Sequence, residues 1–197
     1  WSIKNSKLIL TVSEYTAARI IKNFKTKTAP LIIYNSYKTI NKKDCSTGDN
    51  NEKEYEKYFL YFGGADPRKN LKMMFDIYEH YRKIHDNPIK FLCTKEKKDY
   101  QLILGKQFEF PKGVFFLGRI TDNHLDRLIK YSNGVLYLSD YEGFGRPIME
   151  AAIYKVPTIA INLEVYKEIP NSSIISFQSI GETSKILLNL AASKLNK

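Results

Sequence analysis

Two clusters in the chain combine residue types and spacings suited to an anionic, hydroxyl-rich ligand. The first is Gly63-Gly64-Ala65-Asp66-Pro67-Arg68-Lys69-Asn70, between an apolar run and an amphipathic one. Paired glycines let a ligand approach the backbone closely. Two adjacent cations beside a helix N-terminus favour a phosphate. The string is neither GxGxxG nor a Walker loop. A tight turn carrying two solvated bases accounts for the same residues equally well.

The second cluster is Tyr141-Glu142-Gly143-Phe144-Gly145-Arg146-Pro147-Ile148-Met149-Glu150. Glu142 lies in a Gly-Phe-Gly loop, and Glu150 follows about one turn into a helix opening at Pro147, so both carboxylates can face one crevice. Carboxylates accept hydrogen bonds from vicinal sugar or ribose hydroxyls. The backbone amides near residues 148 to 150 are expected to lack helical partners and to point toward the strand end. The alternatives are a solvated loop acid at Glu142 and, at Glu150, a charge favoured by the helix N-terminus.

Loops of this kind need strands and helices to aim them. Tyr58 to Phe62, Ile89 to Cys93, Val114 to Leu117, Val135 to Leu138, Thr158 to Ile161 and Ile174 to Phe177 are short apolar runs that read as buried strands. Helices are expected between them: from an Asn70 cap to about His85, over Lys97 to Leu104, from an Asp122 cap to Tyr131, from Pro147 to Tyr154, and over Glu182 to Leu195. This alternation predicts an α/β, Rossmann-like parallel sheet with helices on both faces over residues 58–197. Ligands of such sheets bind at the carboxyl ends of the strands, where both clusters fall. Upstream, Leu8 to Val12 and Leu31 to Tyr34 are apolar, and Ser13 caps a helix to Phe24. Residues 36–57 are polar and read as a linker.

A length of 197 residues suits one domain plus a fragment, and a start at Trp1 suggests a piece of a longer protein. No window of 18 apolar residues predicts a membrane span, and the first ten residues lack a secretory pattern. Cys45 and Cys93 are far apart and form neither a disulfide framework nor a zinc site, which points to a reducing, cytoplasmic home. There the Asn171-Ser172-Ser173 sequon carries no meaning. His80, His85 and His124 read as surface or packing residues, not metal ligands. The net charge of +10 is compatible with phosphorylated ligands, anionic lipid or nucleic acid. No RNA-binding pattern of interleaved aromatics and bases is found. In the helix after Ser13, Ala17, Ile20, Ile21 and Phe24 recur beside basic residues. That stripe is expected to be core, with contact to an anionic membrane as the alternative.

Glu142 and Glu150, with seven residues between them, resemble the E-x7-E element of the retaining GT-B glycosyltransferases. The fuller string Glu142-Gly143-Phe144-Gly145, Pro147, Glu150-Ala151 is similar to family four, the "group 1" set. Tyr61 to Leu71, Phe115 to Leu125 and Val156 to Ala160 resemble its other donor-domain segments. Leu10 to Ile21 and Ile33 to Asn35 resemble the end of its N-terminal domain. The resemblance implies a remnant of the acceptor domain at 1–35, an interdomain linker at 36–57, and a donor-binding domain at 58–197, the C-terminal half of a GT-B fold. It implies that Arg68 and Lys69 bind the donor diphosphate and stabilise it as leaving group. Glu142 would meet the donor sugar or its phosphate end, and Glu150 the ribose hydroxyls. Gly143, Phe144 and Gly145 would offer amides, with Gly63 and Gly64 lining the phosphate turn. The implied partners are a UDP-, GDP- or ADP-linked sugar and a saccharide or lipid-linked acceptor, with peripheral membrane contact and no nucleic acid. No cofactor and no metal are implied. Arg146 departs from the aliphatic residue of many relatives, and is expected to pair with Glu142 or touch the donor. Other GT-B enzymes, such as an epimerase or phosphorylase, and a non-catalytic basic binding module are the rival readings.

Overall fold

The computed structural model describes residues 2–26, 28–36 and 57–193. The expected linker, apart from its two end residues, and Cys45 lie outside the described residues. The chain begins with a short helix α1 (Ser2–Asn5). Strands β1 (Leu10–Thr11) and β2 (Leu31–Ile32) pair in parallel as a two-stranded sheet, with helix α2 (Glu14–Phe24) between them. Six further strands form the main sheet: β3 (Tyr58–Tyr61), β4 (Lys90–Cys93), β5 (Val114–Phe116), β6 (Gly134–Tyr137), β7 (Thr158–Ala160) and β8 (Ile174–Ser176). Their spatial order is β5-β4-β3-β6-β7-β8, and every adjacent pair is parallel. Every position of β3, β6 and β7 is buried, which is why these strands are continuous apolar runs and not alternating ones.

The helices α3 (Leu71–Lys83), α4 (Lys97–Leu104), α5 (Asp122–Tyr131), α6 (Arg146–Ile153) and α7 (Ile180–Ala192) connect and cover these strands. Crossovers, right-handed as the rule for parallel strands requires, carry the chain from β3 outward to β4 and β5, then back across the sheet to β6 and outward to β7 and β8. Reversing direction with unchanged handedness sends the two sets of helices to opposite faces. Accordingly α3 packs with α4, and α5 with α6. Helix α7 returns onto α3, where the Ser184 hydroxyl donates to the Ile77 carbonyl at 3.1 Å. The reversal falls between β3 and β6, whose C-terminal ends carry the two candidate clusters.

Several helix starts differ from expectation, each for a local reason. Asn70 sits at the start of α3 but in a left-handed conformation, and its side chain makes no cap. Its amide nitrogen instead donates to the Leu138 carbonyl and to Asp140 across the loop. A 3-10 turn, Pro67–Lys69, precedes it, with Asp66 accepting from the Arg68 amide. Thr121, not Asp122, caps α5 by accepting from the His124 amide at 3.2 Å. Ser179 caps α7, which therefore begins two residues before Glu182. Helix α3 ends at Lys83, so His85 lies beyond it and packs on the Tyr81 ring at 5.5 Å. The α2 stripe is core only in part: Ala17 is buried, whereas Ile21 and Phe24 are exposed. A second 3-10 turn, Glu164–Glu168, had no signal strong enough to predict.

An aromatic cluster between α3 and the β4 side of the sheet anchors the core. Phe75, 1% exposed, lies 6.1 Å from Phe91, 5.9 Å from Tyr100, 5.9 Å from Phe108 and 5.2 Å from Phe110, centroid to centroid. Edge-on and tilted rings of this kind add to the burial of their area. Phe75→Ala is expected to lower the unfolding free energy by about 3–5 kcal/mol through lost transfer energy and a residual cavity. Urea unfolding followed by circular dichroism measures this; a loss under 1 kcal/mol would refute the central role of this ring.

Candidate functional site

The two strand-end loops are joined by a buried ionic cluster. Lys69, 4% exposed, donates from Nζ to the Tyr137 hydroxyl at 2.6 Å and to Oε1 of Glu142. The Tyr137 hydroxyl in turn donates to the same Glu142 oxygen at 2.7 Å. The ammonium also lies 4.6 Å from the centre of the Tyr137 ring. Lys69 belongs to the loop after β3, whereas Tyr137 ends β6 and Glu142 follows it, so the cluster closes the gap between the two halves of the sheet. Burial disfavours the charge on Glu142, but hydrogen bonds from Lys69 and Tyr137, with the charge of Lys69, outweigh it and hold the carboxyl below its usual range. Burial and the facing Glu142 push the Tyr137 phenol above its ordinary value.

Arg68 stays at the mouth. Its side chain is 46% exposed, pairs with Asp66 at 3.3 Å, and reaches the Tyr141 carbonyl of the second loop at 3.5 Å. Its own carbonyl accepts from the Asp140 amide at 2.9 Å. Gly63 is required by close packing: a Cβ there would stand 2.6 Å from the Tyr137 ring. Gly64 has φ +79 in open space, with its carbonyl accepting from the Tyr61 hydroxyl.

In the second loop, Gly145 has φ +96, and a Cβ would meet the Tyr166 ring at 2.7 Å, so only glycine fits. Gly143 carries neither demand, since a Cβ would make only ordinary contacts with Val12 and Thr16. The Phe144 side chain is buried against the N-terminal segment, 6.3 Å from Tyr34. The amides of Ile148 and Met149 do not behave as expected: both donate to the Gly145 carbonyl, at 3.0 and 3.3 Å. Among the described residues, no partner accepts from the amides of residues 143–146, and these are the donors the loop has to offer.

Glu150 is buried in the first turns of α6 and pairs with Arg146, Nη2 to Oε1, at 3.2 Å. Arg146 therefore engages Glu150 and not Glu142, because both lie on α6 four residues apart. Burial raises the Glu150 carboxyl above its usual range; Arg146 opposes this, and the acids Asp126 and Asp122 of α5 add to it. The two glutamates are thus held in different surroundings, one by Lys69 and Tyr137, the other by Arg146 facing α5.

Sequence spacing missed Tyr137, Ser13, Thr16 and Glu168. The Ser13 and Thr16 hydroxyls donate to the Gly143 carbonyl at 2.6 and 3.0 Å. Glu168 accepts from the amides of Glu14 and Tyr15 at 2.8 Å each, capping α2 from the far end of the chain. These partners lie 127 to 154 residues apart in sequence, so no local pattern could have paired them. Among the described residues no group of three or more His, Cys, Asp or Glu side chains is arranged to hold a metal ion, and no helix is long and apolar enough to cross a membrane.

The two carboxyls should titrate apart. Carboxyl-carbon NMR is expected to find Glu142 below the ordinary glutamate range and Glu150 above it. The sign for stability follows. Glu142, depressed in the fold, contributes stability above the free glutamate pKa and loses it as pH falls through its lowered value. Lys69→Met leaves a buried carboxylate without its cation, and is expected to cost about 3 kcal/mol at neutral pH and much less at pH 3. Coincident titration of Glu142 and Glu150, or a pH-independent cost, would overturn this account.

Comparison with known proteins agrees with this geometry. The family model "Glycosyl transferases group 1" matches residues 43–174. The O-antigen chain mannosyltransferase RfbU of Salmonella typhimurium is 29% identical over 172 residues, covering 85% of this chain and 46% of that protein. The O-antigen chain mannosyltransferase B of Escherichia coli is 27% identical over 188 residues, with the same coverage of 85% and 46%. The chain thus spans less than half the length of these curated relatives. Among solved structures, HepE of Anabaena in complex with UDP-glucose superposes with a TM-score of 0.72 at 17% identity, over 95% of this chain and 55% of that one. TarM superposes with a TM-score of 0.68 at 21% identity, over 96% of this chain and 37% of that one. With a matching family model over most of its length and the Rossmann-like half of a GT-B architecture, this chain belongs to the group 1 glycosyl transferases.

Proposed function

We propose that this chain supplies the donor site of a glycosyltransferase that moves a sugar, with retention, from a nucleoside-diphosphate sugar to a saccharide or lipid-linked acceptor. The observation that carries this reading is the convergence of Lys69 and Glu142 in one buried cluster at the strand-order reversal. An ammonium has three donors, and Tyr137 and Glu142 take two of those of Lys69. The third is left for a phosphate oxygen. Arg68, half exposed beside it, supplies a second cation that can swing onto the same diphosphate. Departure of the nucleoside diphosphate builds negative charge on its terminal phosphate, and fixed donors aimed there lower the barrier by roughly 3 kcal/mol each. Glu142 keeps its second carboxylate oxygen for a sugar hydroxyl, the amides of residues 143–146 offer donors beside it, and Glu150 accepts from the ribose.

In this reading residues 1–35 are the end of an acceptor domain, 36–57 the crossing segment and 58–197 the donor domain. The exposed apolar residues Leu8, Leu10, Ile21, Leu31 and Ile33 then face the rest of the acceptor domain. The reaction belongs to cytoplasmic synthesis of surface polysaccharide, peripheral to the membrane, and needs no metal at the donor diphosphate. Both curated relatives described above are mannosyltransferases, so a mannosyl donor is the first to test.

Calorimetric titration with UDP, GDP and ADP and their common sugars tests the proposal. One nucleotide is expected to bind, and its affinity to fall at least tenfold in Glu150→Ala and in Arg68→Ala/Lys69→Ala. Binding that survives both variants unchanged, or no binding to the folded chain, would overturn the assignment of the donor site.

A further inference from the structure

Resting on that reading, two residues of the N-terminal segment contact the loop it takes as the donor loop. Ser13 ends the run after β1 and caps α2, its side chain accepting from the Thr16 amide at 3.0 Å. Its single hydroxyl proton is shared between the Gly143 carbonyl at 2.6 Å and the Thr16 hydroxyl at 2.9 Å, and the Thr16 hydroxyl donates to the same carbonyl at 3.0 Å. The carbonyl is thus held by the linked pair of hydroxyls at the start of α2. A trans peptide points its N–H opposite to its C=O. Pinning the Gly143 carbonyl to α2 therefore turns the Phe144 N–H away from α2, and no described residue accepts that N–H.

The fixing is not incidental to helix capping. Ser13 needs only its lone pairs to cap α2, and the cap uses the Thr16 amide, not the Thr16 hydroxyl. The α2 N-terminus is separately fastened to the same end of the molecule by Glu168, which holds the Glu14 and Tyr15 amides at 2.8 Å. The position fastened is Gly143, the one loop glycine that neither φ nor packing demands. A peptide flanked by glycine rotates at little cost, so without these hydroxyls its N–H would sample several directions.

We propose that Ser13 and Thr16 are positioning residues. By holding the Gly143 carbonyl they aim the Phe144 N–H at the sugar of a nucleoside-diphosphate sugar, so that the N-terminal segment must be docked on the donor domain for the sugar to be gripped. Because they act on the loop and not on the Arg68-Lys69 turn, they affect the sugar and spare the diphosphate.

The test compares two ligands on the full chain: the nucleoside diphosphate that the wild type binds, and its sugar-bearing form. In Ser13→Ala/Thr16→Val the diphosphate is expected to bind within twofold of wild type and the sugar nucleotide about tenfold more weakly, the scale of a lost hydrogen bond. Thr16→Val alone, which leaves the helix cap intact, shows the same split at about threefold, and Thr16→Ser restores wild-type behaviour. Equal weakening of both ligands, or no weakening of the sugar nucleotide in the double variant, overturns the inference while leaving the donor site standing. A wild type that binds no nucleotide refutes the donor-site reading and this inference with it.

Discussion

The reversal of strand order between β3 and β6 is the constraint on which the rest depends. Parallel strands with right-handed crossovers can change direction across a sheet only by sending successive helices to opposite faces. At the change, the loops leaving two adjacent strands diverge, and a crevice opens that no helix covers. In this chain those loops are the ones carrying Gly63 to Asn70 and Ser139 to Arg146. Everything chemically notable follows from having cations on one lip and carboxylates with free amides on the other.

A crevice between diverging loops would be loose without a tie, and the Lys69, Tyr137 and Glu142 cluster supplies it. A buried pair of this kind gains little net stability, because desolvation offsets most of the attraction. Its value here is geometric. Lys69 is held by a ring, a hydroxyl and a carboxylate, and loses the rotamer freedom that a surface lysine keeps. Further stitches run alongside, from Asn70 to Leu138 and Asp140 and from the Asp140 amide to the Arg68 carbonyl. The first loop is thereby set against the second before any ligand arrives, which is the condition for electrostatic stabilisation without reorganisation.

Much of this was legible from the chain alone, and the boundary of legibility is physical. Buried parallel strands announce themselves as apolar runs, and all six in the main sheet fall where Tyr58 to Phe62 and its counterparts predicted. The loops carrying Arg68, Lys69, Glu142 and Glu150 follow from those strands. Helix starts were less legible, because Thr121 or Asp122 can cap and only the backbone entry angle chooses; at Asn70 a left-handed residue inside a loop-to-loop network displaced capping altogether. The pairing of Arg146 with Glu150 follows from a four-residue helical spacing, which the likeness to relatives obscured. Tyr137 looked like one more strand aromatic, since its hydroxyl matters only through Lys69, 68 residues away.

The two glutamates of the loop show why spacing identified them and could not assign them. Seven intervening residues carry the chain from a loop to the second turn of a helix, so the two carboxyls share a region but not surroundings. Glu142 is kept ionised by a cation and a phenol, and an ionised carboxylate can only accept hydrogen bonds. Glu150 is drawn toward its neutral form by burial and by two acids of α5, with Arg146 as the counterweight. Arg146 is thus the group that opposes the effect of burial on Glu150. The chemistry of the second lip is thus set less by the carboxyls themselves than by the cations that face them, one buried and the other exposed.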